Sequence, residues 1–440
     1  MVSSMTRKMK DSGIEWIGEI PEEWQTVPIF TVADEVVKKN TFLSRTNALK
    51  FTYGQIVDKP NFDPVTDSYV NKTIRNYTLA NKHDIVVNGL NLNFDFVTQR
   101  IGMVNKDGAI TSAYICLRPK QDKINPQYLK YVLKTYDTEK AFNNMGGGVR
   151  RILNYSELGK KRVPLPQLAV QDRIVSFLKK KVSEINQTSQ TIQQEIDALE
   201  EYRKSLITET ATKGLDKTVP MKDSGIEWIG EIPENWKLEK LKFLGTARNG
   251  LTYSPEDLSD DGTLVLRSSN IKKGKVYDAD NVYVNMFIPQ NLILKENDLL
   301  ICSRNGSAKL IGKNALINEK YAGSSFGAFM AVFRGKYNEY IHYVLNSNIF
   351  DYYIGSFLTS TINQLTNRNL LNLSIPFPAS KTERQQIISF LKKKCSMIDF
   401  IIDKKREQIS CLTQYKQSIV YEYVTGKKQV PEKEGVKNAQ

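Results

Sequence analysis

The sequence predicts an α+β protein: two related domains joined by two long antiparallel helices that form a coiled coil, with pseudo-two-fold internal symmetry. Three observations carry that expectation. One motif is written twice, each copy opens a region of short β-rich runs that closes in a helical stretch, and each half ends on a long heptad-patterned segment.

The duplication comes first, because a missed repeat misreads the whole fold. Met9 to Trp24 reads MKDSGIEWIGEIPEEW and Met221 to Trp236 reads MKDSGIEWIGEIPENW, so the copies differ only at Glu23 against Asn235. Val163-Pro164-Leu165-Pro166 matches Ile375-Pro376-Phe377-Pro378 at the same offset; after one inserted residue, IVSFLKKK from Ile174 matches IISFLKKK from Ile387. Each half therefore runs leading motif, variable region, Pro-x-Pro, helix. The expected boundaries are 1–24 for the first motif, 25–166 for the first domain, 167–213 for the first long helix, and 214–236 for a linker and the repeated motif. There follow 237–378 for the second domain, 379–427 for the second long helix and 428–440 for a tail expected to be disordered.

Within the variable regions identity almost vanishes while a frame survives. Leu153 and Leu158 align with Leu365 and Leu370, and HDIVV from His83 parallels NDLLI from Asn297. Runs such as DIVVN, AYICLRP, TLVLRSS and DLLICS, broken by Gly, Asn and Asp, indicate sheet. Helices are expected late in each region, over Asn125 to Phe142 and Asn338 to Ile354. Asn125-Pro126-Gln127-Tyr128 is close to the N-P-P-Y loop of DNA amino-methyltransferases, but its third residue is wrong and no glycine-rich cofactor loop accompanies it. Pro126 reads instead as a first-turn helix proline.

The closing segments carry the clearest pattern. Leu178, Val182, Ile185, Ser189, Ile192, Ile196, Leu199, Arg203 and Leu206 keep a 4-3-4-3 spacing, and Leu391, Cys395, Ile398, Ile402, Lys405, Ile409, Leu412, Lys416 and Ile419 keep register with them. At ~1.5 Å per residue, ~40 residues make a rod of ~60 Å. A lone helix of that kind would leave its stripe wet, so helix-on-helix packing within the chain is expected. It is antiparallel if a two-fold axis relates the copies. Two separate helices, each covering its own domain, would not need unbroken heptads.

Composition narrows the function. At 440 residues the chain exceeds one ordinary core. A net charge of +14 favours a polyanionic partner, though a merely basic soluble protein would also carry it. No apolar run reaches a membrane span and the start lacks a secretory signal, so no membrane role and a cytoplasmic location are expected. Cys116, Cys302, Cys395 and Cys411 are scattered and read as reduced thiols. With only His83 and His342, a histidine network or multi-histidine metal site is nearly excluded by count. No G-x-x-x-x-G-K-[ST] loop, G-x-S-x-G or nuclease-like carboxylate cluster occurs. No catalytic residue and no metal site is assigned.

The leading motif before each variable region, and Pro-x-Pro with an I-x-x-F-L heptad helix after it, resemble the specificity subunits of type I restriction-modification systems. The resemblance spans residues 9 to 427, with both motifs twice and in family order. It implies two target recognition domains that read the halves of an interrupted double-stranded DNA sequence, held apart by antiparallel helices, with no cofactor bound by this chain. It implies docking of two modification (M) subunits, which bring S-adenosylmethionine for adenine methylation. Restriction (R) subunits would add cleavage driven by ATP with Mg. Divergent variable regions imply an asymmetric target. Half-sites about one helical turn, ~34 Å, apart would lie on one face of B-DNA. The competing expectation is a structural interaction scaffold without specific readout; a self-sufficient methyltransferase is a third.

Contact residues are less legible. Gly147, Arg150 and Arg151 sit in GGGVRR, which joins close backbone approach to guanidiniums suited to phosphate or guanine. The counterpart TSTINQ, 359–364, offers Asn363 and Gln364, with Arg368 beyond; amides suit adenine. A surface hairpin without a DNA role would look the same. Ser303-Arg304-Asn305-Gly306 follows an expected strand, where members of the resembled family carry an S-R-x-G-like sequence, and Arg304 is the leading candidate. The first domain departs there, with Asn88-Gly89-Leu90-Asn91, leaving Asn88 and Asn91 as candidates. Lysines 179–181 and 392–394 could track phosphates or simply be solvated. Trp16, Trp24, Trp228 and Trp236 all lie in the duplicated motif, so they cannot encode different readouts; docking of modification subunits or core packing are the alternatives.

Overall fold

The computed structural model describes residues 7–94, 99–356 and 363–431. It forms two compact units, residues 1–191 with 407–440, and residues 192–406. The dividing lines fall inside the two long helices, Leu168–Lys213 and Lys381–Val424. Of the tail, residues 432–440 lie outside the described residues.

In the first unit the leading motif is a hairpin, Met9–Ile14 against Gly18–Pro21, turned by Gly13 and Gly18 at φ 68° and 69°. The next strand, Gln25–Pro28, lies antiparallel to Arg162–Leu165, the Pro-x-Pro strand, so the variable region starts and finishes side by side. A two-stranded ribbon tolerates these prolines because each strand keeps a free edge. One antiparallel sheet follows the order Ala33–Glu35, Ile115–Pro119, Ile85–Val87, Ile101–Met103. A second runs Gln55–Asp58, Ala48–Thr52, Gly108–Ile110, Thr78–Ala80, with one parallel pair. The helix Pro126–Thr138 starts where the Asn125 side chain accepts the amides of Gln127 and Tyr128, with proline in its first turn as the sequence indicates. It ends four residues short of Phe142, because Lys140 takes a left-handed φ of 56°.

The second unit repeats the plan with different residues. Its motif hairpin is Met221–Asp223 with Glu231–Pro233, and Lys237–Lys240 closes on Ser374–Phe377. The sheets run Gly245–Asn249, Met330–Gly335, Leu299–Cys302, Asn314–Leu316, and Leu258–Ser259, Tyr283–Val284, Thr263–Leu266, Ser325–Phe326. A buried carboxylate anchors each first sheet. Arg118 Nε donates to Asp84 at 2.9 Å, and Arg334 Nε to Asp298 at 2.8 Å. The expected single helix is broken into Asn338–Val344 and Asn348–Gly355. The Asn346 amide takes the His342 carbonyl and the Ser347 hydroxyl takes that of Val344, so the first helix ends on local side chains.

Each unit also holds one stretch of both long helices. Every heptad position of the two stripes is buried or half-buried. In the first unit the Phe177 and Tyr423 rings pack at a tilt with centroids 4.5 Å apart, and Lys416 Nζ donates to Asn186 at 3.0 Å. In the second, Arg203 meets Asp399 at 3.3 Å and Lys405 meets Glu195 at 2.6 Å. One number rises as the other falls, which is antiparallel pairing. Two tyrosines fasten these helices to the sheets. The Tyr128 hydroxyl lies 2.9 Å from the Val424 carbonyl and 3.3 Å from that of Pro164; the Tyr340 hydroxyl lies 3.4 Å from Ala211 and 2.8 Å from Pro376, the corresponding residues. Gln171 and Arg384, different residues at one repeat position, both donate to the proline carbonyl that precedes their helix, Pro166 and Pro378.

His342 is half-buried, with Nδ1 2.8 Å from Asn314 Oδ1. Burial, and then the Arg203 charge, hold its pKa down at about 4, against 6.5 unperturbed. The unfolded chain therefore takes up this proton first, so the stabilisation is complete above pH ~6.5 and is lost as pH falls towards 4. Its size is on the order of 3 kcal/mol. His342→Gln is expected to flatten the fall of melting temperature between pH 6.5 and 4; an unchanged slope would remove His342 from the acid response.

Candidate nucleic-acid interface

In the first unit, strand Ile85–Val87 runs out into Asn88-Gly89-Leu90-Asn91. Arg100, buried, clasps that loop: its guanidinium donates to the carbonyls of Asn88 at 3.1 Å and Leu90 at 2.8 Å. The GGGVRR segment folds back as a hairpin, bridged between Gly147 and Ile152. The two segments are stitched together. Leu153 N donates to Gly89 O at 2.9 Å, Leu92 N to Arg151 O at 3.0 Å, and Arg151 N to Asn93 Oδ1 at 3.1 Å. Gly89 has no alternative, since a Cβ there would stand 2.7 Å from the Leu153 carbonyl oxygen. Gly147, Arg150, Arg151 and Asn91 are exposed; Asn88 is half-buried and its side chain accepts the Leu90 amide.

The second unit uses the same stitch. Leu365 N donates to Ser303 O at 2.8 Å, Arg304 bridges Gln364, and Asn363 Nδ2 donates to Gly306 O at 3.2 Å. Residues 359–362 of the counterpart segment lie outside the described residues. Ser303 is buried, its hydroxyl given to the Phe329 carbonyl, so the expectation of a DNA contact from it is corrected: it positions the loop. Arg304 is exposed, its guanidinium 5.4 Å from the centroid of the Phe329 ring. Asn305 reaches Ser268 Oγ at 3.2 Å, and Arg368 is exposed on the helix Asn367–Asn372. Beside them opens a cleft of about 1140 Å³, whose walls include Tyr253, Arg267, Arg304 and Phe329.

Sequence reasoning placed both segments of each pair but missed Arg100, Arg267, Tyr253 and Phe329. The run TLVLRSS already held Arg267 at the outlet of a strand, the one signal available; the others depend on tertiary position.

The four tryptophans divide. Trp24 and Trp236 are buried, Trp236 donating to Glu383 at 2.9 Å, which corrects the docking expectation for both: they are core. Trp16 is half-buried, packed edge-on against Tyr136 at 4.5 Å and near Tyr421 at 6.3 Å. Trp228 is exposed, because the repeat places Asn348 and Thr208 where those tyrosines stand. These two bond to each other, Asn348 N to Thr208 Oγ1 at 2.9 Å. The lysine runs sit on the long helices, exposed except for Lys181, which pairs with Glu184.

Among the described residues no group of His, Cys, Asp or Glu could hold a metal ion, and no helix is long and apolar enough to cross a membrane. The family model for the type I restriction modification DNA specificity domain matches twice, over residues 21–198 and 233–410. The type I restriction enzyme MjaVIII specificity subunit of Methanocaldococcus jannaschii is 23% identical over 425 residues, covering 93% of each chain. A putative MjaX specificity subunit from the same organism is also 23% identical, over 93% of this chain and 95% of its own. A chain solved in a study of complex assembly and conformational transition of a type I R-M system superposes with a TM-score of 0.67 at 14% identity, covering 92% of this chain and 98% of that one.

The stitch between the loops is open to direct measurement. Gly89→Ala is expected to cost about 1–3 kcal/mol through overpacking and to speed hydrogen exchange at the Leu153 amide. Unchanged protection of that amide would show that the segments are held by something else.

Proposed function

The chain belongs to the family of type I restriction modification DNA specificity domains, two of which it carries, and on that footing we propose that it reads an asymmetric, interrupted DNA target, one half-site per unit. As a specificity subunit of a type I system it is the non-catalytic component. Its partners in this reading are double-stranded DNA, two modification subunits that methylate adenine with S-adenosylmethionine, and restriction subunits that use ATP and Mg.

The observation that carries the proposal is the shared stitch with unlike tips. Gly89 with Leu153 and Ser303 with Leu365 fix the same pair of loops in both units. The side chains exposed there differ: Asn91, Arg150 and Arg151 in one, Arg304 in the other, with the half-buried Asn305, Asn363 and Gln364 beside it. One frame with two side-chain sets suits two different half-sites. Direct readout needs guanidiniums and amides at base edges, while phosphate contacts from exposed lysines and arginines give affinity without sequence information. The open Trp228, the half-covered Trp16 and the lysine-bearing helices are the proposed footholds for modification subunits.

The test is a salt titration of DNA binding by the complex with its modification subunits. Log affinity should fall with log salt at a slope of about −0.9 per phosphate contacted, with strong preference for one interrupted duplex. Arg150→Ala should weaken binding uniformly and reduce that slope by about 1 if it holds phosphate, or relax one base position if it reads a base. A flat response to salt, or equal binding to every duplex, would leave only a scaffold.

The repeat makes a further demand. A fragment of residues 1 to about 220 lacks Val420 and Val424, which complete the first core, but a second copy offers Ile207 and Ala211 at the corresponding positions. That fragment is expected to dimerise and, with modification subunits, to direct methylation of a symmetric site. A monomeric, inactive fragment in sedimentation and methylation assays would break the repeat logic.

A further inference from the structure

Three donors in the second unit converge on one carbonyl. Ser303 N and Arg304 N each reach the oxygen of Phe329 at 3.0 Å, and the Ser303 hydroxyl reaches it at 2.9 Å. The loop that bears Arg304 and the turn that bears Phe329 are thereby one body. The Phe329 ring is 61% exposed, too open to be core, and it lies against the Arg304 guanidinium at the edge of the cleft.

We propose that Phe329 is a positioning residue for base readout: its ring holds the plane of Arg304 so that two of the guanidinium N–H groups meet O6 and N7 of a guanine in the second half-site. The proposal rests on the DNA-reading function above. An arginine on a free stem samples many directions and loses that freedom on binding; a stacked one has lost much of it already. The planar fork of donors matches the major-groove edge of guanine and of no other base. Arg267, on the same cleft, has its guanidinium tethered to the Asp280 carbonyl, so a second fixed positive charge adjoins the reading arginine.

The first unit supplies an internal control. The pairs Asp84–Arg118 with Asp298–Arg334, and Gly89–Leu153 with Ser303–Leu365, align the two frames. On that alignment Leu90 stands for Arg304 and Ala113 for Phe329. The arginine and its platform are absent together, as expected of two parts of one device.

The experiment uses the full chain with its modification subunits. Mapping methylated adenines in DNA modified by that complex yields the target, and synthetic duplexes then carry 7-deazaguanine, which lacks the N7 acceptor, at each guanine of the second half-site in turn. One such substitution should weaken binding by the wild-type complex about tenfold. Arg304→Ala should bind the natural duplex about tenfold more weakly and not respond to that substitution. Phe329→Ala should bind about threefold more weakly with a correspondingly smaller response, and Phe329→Tyr should restore both. Phe329→Leu, which keeps apolar bulk without a ring face, should behave as Phe329→Ala and covers the case in which the alanine variant fails to fold.

A full wild-type response to 7-deazaguanine in Phe329→Ala or Phe329→Leu overturns the positioning role. So does a second half-site in which no guanine is sensitive. If the wild-type complex yields no bipartite target at all, the DNA-reading proposal itself fails, a result distinct from either of these.

Discussion

Gln25–Pro28 lies against Arg162–Leu165, and Lys237–Lys240 against Ser374–Phe377, so each variable region leaves and returns at one place. Closing a loop of this length costs about 4 kcal/mol of chain entropy, more than one or two tyrosine hydrogen bonds of about 1 kcal/mol each could offset. The ribbon ladder and the apolar residues beneath it, Val163 in one unit and Ile375 in the other, both fully buried, supply the rest. With the base closed, Tyr128 and Tyr340 fasten the helix ends to the same spot. The core between the two ribbon strands packs on the helices, at Leu178 and Leu391, but the exposed loop tips lie outside that packing and are uncoupled from it.

That uncoupling explains how the two halves can be alike in plan and unlike in sequence. The strand order of the first sheet agrees between the units, the Asp–Arg anchors agree, and the stitch between the loops agrees, while the second sheets differ in order and in the place of their parallel pair. None of these constrains the exposed side chains at positions such as Asn91 or Arg304. Gln171 and Arg384 show the same tolerance inside the frame: a neutral amide and a guanidinium hold equivalent proline carbonyls, since the carbonyl requires only a donor.

The parts of this architecture that were legible in the sequence are those with a local or repetitive signature. The duplicated motif, the Pro-x-Pro strands, the heptad stripes and the helix start at Asn125-Pro126 are visible because their physics acts over a few residues. The break at Asn346-Ser347 was not, because the apolar spacing continues through it and only the side-chain capping stops the helix. The candidate loops were found from Gly-rich and Arg-bearing strings after expected strands, but their mutual contact was not, since Gly89 and Leu153 are joined through space. Arg100 and Phe329 carry no motif, and their roles depend on carbonyls and a guanidinium that only the fold brings near. Trp24 and Trp236 could not be told from Trp16 and Trp228 by sequence, as all four share one motif and differ only in what covers them.

The last point has a consequence for assembly. The two motifs, alike but for one residue, give the chain two copies of one tryptophan; Tyr136 and Tyr421 pack on the first, while the second, with Asn348 and Thr208 at those positions, is 39% exposed. If the proposed docking uses that ring, a partner gripping both copies would meet two grades of site, one more open and one packed against aromatic side chains. Unequal sites fill in sequence, so a duplicated chain can acquire an order of addition from two substitutions that lie outside the duplicated motif itself.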